Sequence, residues 1–256
     1  MNQPIGFFDS GVGGLSLLPA FKELLPNEAL CYIADDAFSP YGKKNKRDIL
    51  DRARKLTRVL LEHQCKIIVL ACNTATTQVI DELRHEFPLP FIGIEPAIKP
   101  AALATQTGVV GVLATHGTLN SGLFHQSSLR HAANISIIEQ IGEGLVEIVE
   151  KGIIDHPSTK ALLTHYLKPM LDKGMDTLVL GCTHYPFLIP TMRKILPKGI
   201  TIVDNSIAIA LQTKKVLIQK KLLNSHNDHG TERYYSTAKK SNLGFYLKEN
   251  IIHLPL

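Results

Sequence analysis

Short, almost wholly apolar runs alternate with amphipathic stretches along most of this chain. Pro4-Ile5-Gly6-Phe7-Phe8, Leu30-Cys31-Tyr32-Ile33-Ala34 and Lys66-Ile67-Ile68-Val69-Leu70-Ala71 read as three strands. A helix is predicted from Leu15 to Leu25. A second, from Lys46 to His63, places Ile49, Ala53, Leu56, Val59 and Leu60 on one face, and a third runs from Cys72-Asn73-Thr74 to Phe87. Strands without polar alternation are buried on both sides, which implies a parallel sheet covered by helices on each face. The pattern is that of a doubly wound α/β fold.

The pattern then starts again. Gly108–Thr115 resembles the opening strand, and Asp176–His184 resembles the third. Ile68-Val69-Leu70-Ala71-Cys72-Asn73-Thr74 and Leu178-Val179-Leu180-Gly181-Cys182-Thr183-His184 match in residue class until the final position: three aliphatics, a small residue, a cysteine, then polar residues. An internal repeat of this kind decides the architecture. It predicts two similar doubly wound α/β domains with mostly parallel sheets, pseudo-symmetric, with the site in the cleft between them. Gly93–Pro100 reads as the first crossing between domains and Asp204-Asn205-Ser206, after a strand Ile200–Val203, as the return. The domains are therefore expected to be residues 1–95 with 207–256, and residues 96–206. A helix from Ile207 to Leu223 should pack on the first domain. An exposed loop Asn224–Thr231, a last strand Tyr234–Thr237 and a last helix Gly244–Ile252 complete the expectation.

Composition narrows the function classes. A chain of 256 residues can bury a core without covalent staples, and four cysteines are too few and too scattered for a disulfide framework. No CxxC pair occurs, which argues against a zinc ribbon or a thioredoxin-type site. Met1-Asn2-Gln3-Pro4 carries no basic segment followed by an apolar one, and no window has the 18 or more apolar residues of a membrane span, so a reducing cytoplasm is expected. The net charge of +5 draws on Lys214, Lys215, Lys220 and Lys221, which read as a solvated helix face. Without interleaved aromatics or a recognition motif they do not indicate nucleic acid. His226-Asn227-Asp228-His229 reads as solvated loop, and no metal is expected.

Candidate chemistry sits at the strand ends, where open α/β sheets bind ligands. Asp9-Ser10, Cys72-Asn73-Thr74, Thr115 and Cys182-Thr183-His184 all fall there. Cys31 and Cys65 read as small buried hydrophobes, whereas Cys72 and Cys182 occupy equivalent places in the two repeats. A strand end before a helix N-terminus should lower a thiol's pKa. Gly11-Val12-Gly13-Gly14 lacks the GxGxxG spacing, since Ser16 stands where the third glycine belongs. It reads instead as a tight turn whose amides hold a carboxylate. Two thiols facing each other solve one problem in particular. Inverting a carbon without a cofactor needs a base on one face and an acid on the other, with the roles exchanged in reverse. Asp9 and His184 stand ready to tune one thiol each.

These residues resemble the glutamate racemases of the cofactor-independent aspartate/glutamate racemase superfamily. The resemblance rests on Phe8–Ser16, Pro40-Tyr41-Gly42, Ala71–Ala75, Glu95–Pro100, Ala114–Thr118 and Gly181–Pro186, in family order from Ile5 to Ser206. It implies interconversion of L- and D-glutamate without a cofactor, with D-glutamate supplying peptidoglycan synthesis, and a homodimer of unassigned arrangement. By motif, Cys72 would exchange the α-proton of the D-isomer and Cys182 that of the L-isomer, assisted by Asp9 and His184 respectively. Ser10, Asn73, Thr74 and Thr183 would hold the polar groups of the amino acid. Pro40, Tyr41 and Gly42 would line the site, with Tyr41 at its mouth, and Thr115 and Thr118 would bind from the second domain. Glu150 matches a further acidic position, although it reads equally as a solvated helix end. Just before it, the family often carries a cysteine-proline pair near Ile141-Gly142, from which this chain departs. Two alternatives stand beside this reading. An aspartate racemase would usually show glutamate at His184 and lack the Asp9–Gly14 opening. A two-lobed amino-acid-binding protein would need neither paired thiols nor Asp9.

Overall fold

The computed structural model describes residues 3–131, 135–225 and 229–256. Its strands are β1 (Ile5–Asp9), β2 (Leu30–Ala34), β3 (Ile67–Leu70), β4 (Phe91–Gly93), β5 (Val109–Ala114), β6 (Ser136–Ile141), β7 (Thr177–Gly181), β8 (Thr201–Val203), β9 (Glu232–Ser236) and β10 (Ile251–His253). They form two sheets, ordered β10-β9-β2-β1-β3-β4 and β6-β5-β7-β8, and each pairing is parallel. The order 2-1-3-4 of the first four strands recurs in β6-β5-β7-β8, so the repeat in the sequence is a repeat of topology. In each sheet the order reverses beside the leading strand, between β1 and β3 and between β5 and β7. That reversal opens a crevice at the carboxyl ends.

Burial explains why these segments are strands. Every residue of β1, β2, β3 and β7 is buried, because helices cover both faces. The helices are α1 (Leu18–Leu24), α2 (Lys46–Glu62), α3 (Asn73–Glu86), α4 (Ile98–Ala104), α5 (His116–Leu119), α6 (Gly122–His131), α7 (Leu145–Glu150), α8 (Pro157–Asp172), α9 (Ile189–Arg193) and α10 (Ser206–Gln219). Helix α2 buries Ile49, Ala53, Leu56 and Leu60, and starts where the Asn45 side chain accepts the Asp48 N–H at 2.9 Å. Phe8, Ile33 and Leu70 pack under α2 and α3. Phe7, Tyr32 and Val69 face α1 and α10 in a core cluster that continues into the second lobe through Leu145, Leu178 and Leu180. The chain leaves the first sheet after β4 and the second after β8, and the Asn205 side chain donates to the Glu95 carbonyl between these two connections.

Several segments depart from expectation for local reasons. The helix expected from Leu15 is a 3-10 turn, Gly13–Leu17, followed by α1. Pro19 has no N–H to give, so it fits only the first turn of an α-helix. Strands β4 and β6 were not expected; both lie at sheet edges, where one strand face is less covered and the apolar run shortens. The expected helix Gly244–Ile252 is a 3-10 turn, Asn242–Phe245, followed by β10. Lys248-Glu249-Asn250 breaks the periodicity, and Ile251-Ile252 pairs with Tyr234-Tyr235 of β9. Lys214 is half-buried rather than solvated, and its Nζ donates to the Leu24 carbonyl at 3.1 Å, tying α10 to α1. His226, Asn227 and Asp228 of the expected loop lie outside the described residues.

The turn carrying Pro40 and Gly42 is anchored by a buried ion pair. Arg52 on α2 grips Asp35 bidentately, Nε to Oδ2 at 2.7 Å and Nη2 to Oδ1 at 2.6 Å. The same carboxylate accepts from the Tyr41 hydroxyl at 2.7 Å and the Thr237 hydroxyl at 2.8 Å. Removing the cation leaves a buried charge with only neutral donors. Arg52→Ala is expected to lower the unfolding free energy by about 3 kcal/mol in urea titration, with Arg52→Lys intermediate because one ammonium cannot satisfy both oxygens.

Candidate active site

The expected site residues converge where the two sets of strand ends face each other. Asp9 ends β1, Cys72 follows β3 and caps α3, Thr115 follows β5 and caps α5, and Cys182 follows β7. Asp9, Ser10, Asn73, Thr74, Thr118, Thr183 and His184 are all buried although polar. They are satisfied largely by one another, as buried polar groups must be. Asp9 accepts from the Ser10 hydroxyl at 3.1 Å and, across the cleft, from the Thr183 hydroxyl at 2.8 Å. The hydroxyls of Thr74 and Thr115 share a hydrogen bond at 2.9 Å, also across the cleft, and Thr118 lies 3.0 Å from Thr115. The Asn73 amide donates to the Ile94 carbonyl at 3.3 Å.

The glycine turn holds a carboxylate, and it is the protein's own. Val12 N–H donates to Glu150 Oε1 at 3.0 Å. A Cβ on Gly11 would stand 1.8 Å from that oxygen, and one on Gly13 would stand 2.3 Å from His184 Nδ1. These positions need glycine because the second lobe comes within contact of their backbone. The Tyr32 hydroxyl fixes the turn from below, donating to the Gly11 carbonyl at 2.7 Å. Glu150 is accordingly 7% exposed, not a solvated helix end. His184 Nε2 donates to its Oε1 at 2.6 Å, and His184 Nδ1 lies 3.8 Å from Cys182 Sγ. Gly142, at the departure, lies against Tyr185. Tyr185 donates its hydroxyl proton to the Gly142 carbonyl at 3.0 Å, and a Cβ on Gly142 would stand 2.4 Å from that hydroxyl.

Electrostatics separate the two thiols. Burial raises the Cys72 pKa well above the ordinary range and the field of Asp9 adds to it, against N–H groups of Ala75 and Ser10 that pull the other way. The helix start therefore does not lower the Cys72 pKa, because burial and Asp9 outweigh it. Burial opposes a charge on His184, but hydrogen bonds to Cys182 and Glu150 and the nearby Asp9 outweigh it, so the imidazole is drawn well above its usual range. Burial likewise opposes ionisation of Glu150, yet His184, Asn242 and the Val12 N–H hold it below the usual glutamate range. A cation thus stands beside Cys182 and an acid beside Cys72. Asp9 itself is pushed up to about 6, by burial above all, against His184 and the Thr183 and Ser10 hydroxyls.

Tyr41 is not at the mouth. Its side chain is 1% exposed and turned inward to Asp35, so Tyr41 does not present its ring to the site. A cavity of about 320 Å³ adjoins this turn, lined by Pro40, Gly42, Thr115 and Gly142. Lys43 and Glu147, which also line it, form an ion pair of 3.0 Å between the lobes. Sequence reasoning missed this pair, the Asp35–Arg52 anchor and Asn242, which donates to Glu150 Oε2 at 3.0 Å. The Pro40-Tyr41-Gly42 stretch pointed to the neighbourhood of the first two, but nothing local marks Asn242. Among the described residues, no group of three or more His, Cys, Asp or Glu side chains is disposed to hold a metal ion, and no helix is long and apolar enough to cross a membrane.

Comparison with known proteins defines the class. The family model for Asp/Glu/Hydantoin racemases matches residues 15–213, and the chain belongs to that family of isomerases. Within it, the likeness is to glutamate racemases. The chain is 48% identical to glutamate racemase of Ectopseudomonas mendocina over 242 residues, covering 93% of this chain and 92% of that one. Glutamate racemase isoform RacE1 from Bacillus anthracis superposes with a TM-score of 0.89 at 27% identity, over 99% of this chain and 98% of that one. The Escherichia coli glutamate racemase, solved with L-glutamate and the activator UDP-MurNAc-ala, superposes with a TM-score of 0.84 at 33% identity, over 95% and 92%.

The raised Asp9 pKa carries a stability consequence. A carboxyl whose folded value, about 6, exceeds its unfolded value of 3.8 favours the folded state only while protonated. The penalty is absent below pH 4, grows through the interval between the two values, and reaches about 3 kcal/mol above it. Asp9→Asn is expected to raise the melting temperature at pH 8 and leave it unchanged at pH 4, as thermal unfolding at the two pH values will show.

Proposed function

We propose that this protein interconverts L- and D-glutamate by exchanging the α-proton between two thiols, Cys182 and Cys72, without a cofactor. The observation that carries the reading is the equivalent placement of these thiols after β7 and β3 of two repeated sheets, each with a different ionisable partner. As the α-C–H bond of L-glutamate breaks, its proton goes to the Cys182 sulfur, which acts as thiolate in this step with His184 Nδ1 3.8 Å away. Cys72 gives its proton to the opposite face, forming the new C–H bond of D-glutamate. Proton count and charge are conserved, and the reverse reaction exchanges the roles. Asp9 stands by Cys72 to take up the proton in the reverse direction. Ser10, Asn73, Thr74, Thr115, Thr118 and Thr183 bind the carboxylates and the ammonium of the substrate, whose charges replace the hydrogen bonds that Thr74, Thr115 and Thr118 now make with one another and that Ser10 and Thr183 make with Asp9. The backbone of Pro40, Tyr41 and Gly42 closes one side.

The likeness to glutamate racemases supports glutamate over other amino acids. It also supports the wider setting: a cytoplasmic homodimer whose D-glutamate feeds peptidoglycan synthesis. Sheet membership supports a division into residues 1–95 with 207–256 and residues 96–206.

Circular dichroism should show racemisation of either enantiomer of free glutamate in the presence of a chelator and without added pyridoxal phosphate, with aspartate inert alongside. In deuterated water either enantiomer should acquire an α-deuteron. Cys72→Ser and Cys182→Ser should each lose at least a hundredfold in kcat while keeping the fold; near-normal rates in both sink the two-thiol reading. Asp9 accepts a proton only when ionised, so kcat/KM should rise with pH through about 6, and Asp9→Asn should abolish that limb.

A further inference from the structure

Glu150 stands at the end of α7 in the second lobe, yet two of its three hydrogen-bond donors come from the first. Val12 N–H reaches Oε1 at 3.0 Å and Asn242 Nδ2 reaches Oε2 at 3.0 Å; His184 Nε2, from its own lobe, reaches Oε1 at 2.6 Å. A carboxylate only accepts, so the amide must present its NH2 edge. Among the described residues Asn242 is the donor to Oε2. Asn242 is itself braced. It opens the 3-10 turn Asn242–Phe245, whose preceding residue, Ser241, accepts from Leu243 N–H at 3.1 Å and donates to Asp36 Oδ2 at 2.7 Å. The Ser236 hydroxyl at the end of β9 donates to the same oxygen at 2.7 Å. The turn is thus fastened to the first sheet at the point where it meets the second lobe.

We propose that Asn242 is a positioning residue for the Cys182 half of the reaction. This rests on the two-thiol reading. By holding Oε2, the amide fixes the rotation of the Glu150 carboxyl, keeps it ionised, and so holds the His184 imidazole beside Cys182 sulfur. Besides His184, the titratable groups acting on this site are Asp9 and Asp36, whose charges face the same carboxylate, the Tyr32 and Tyr246 hydroxyls, and Cys182 and Glu147, which act on His184. Cys72 and Asp9 make no hydrogen bond with Asn242, so its loss should slow proton transfer at one thiol and spare the other.

That asymmetry gives the test. Initial rates of wild-type protein, Asn242→Ala and Asn242→Asp are measured with each glutamate enantiomer, protonated and deuterated at the α-carbon. Asn242→Ala should lose about tenfold in kcat, the cost expected for one hydrogen bond to a charged group. Its primary isotope effect should rise with α-deuterated L-glutamate, because transfer to Cys182 becomes limiting, and fall toward unity with α-deuterated D-glutamate. Isotope effects that move in the same direction for both enantiomers, or do not move, overturn the proposal, since general loosening acts on both thiols. Asn242→Asp keeps the side-chain shape and serves if Asn242→Ala does not fold. It sets a second carboxylate against Glu150 at pH 8 and should lose more than Asn242→Ala. It should regain rate relative to Asn242→Ala as the pH falls toward 5, where one carboxyl takes a proton and donates it. A pH profile parallel to that of Asn242→Ala contradicts the positioning role. Wild-type protein that exchanges the α-hydrogen of neither enantiomer brings down the two-thiol reading instead, and this proposal with it.

Discussion

The hydrogen bond between His184 and Glu150 is the contact on which the site depends. Both side chains are buried, so neither charge is tolerable without the other and without further donors. The donors come from the opposite lobe: the Val12 N–H, exposed to the carboxylate because Gly11 lacks a side chain, and the Asn242 amide. Charge, glycine turn and interlobe contact are therefore one requirement. The imidazole and its carboxylate partner share one lobe, but the carboxylate's other donors come from the opposite lobe, which can approach because Gly11 and Gly13 leave room. Tyr32, deep in the first core, holds the carbonyl of the same turn and links packing to chemistry.

Pseudo-symmetry gives way to asymmetry at the thiols. The scaffold presents two cysteines at equivalent strand ends, but one is paired with a carboxyl and the other with an imidazole. Burial and Asp9 keep the proton on Cys72, while a cation faces Cys182. The proposed proton exchange needs its two groups in opposite protonation states, and the two sulfurs have different neighbours. The cost is carried by Asp9, whose carboxyl is pushed up to about 6 by burial.

Much of this was readable in the chain because burial on both faces leaves a plain mark. Strands β1, β2, β3, β5 and β7 are continuous apolar runs, and the match of the stretches around Cys72 and Cys182 exposed the repeat that sets the architecture. Edge strands β4 and β6 left a weaker mark. Single helices were misread where a proline or a polar break redirected the backbone, at Pro19 and at Lys248-Glu249-Asn250. At the site, residues inside strand-end motifs were legible. Asn242 was not, because its contact with Glu150 spans 92 positions and is set by tertiary placement alone. Tyr41 was placed in the right segment, but its direction depends on Asp35 and Arg52, which no local pattern ties to it.

In the proposed reaction two sulfurs address opposite faces of one carbon. The most direct measurement is a crystal structure with glutamate bound. The account predicts Cys72 and Cys182 sulfurs on opposite sides of the α-carbon, each about 3.5 Å from it, the separation of a group poised for proton transfer. Both sulfurs on one face, or either one beyond reach of the carbon, would contradict it.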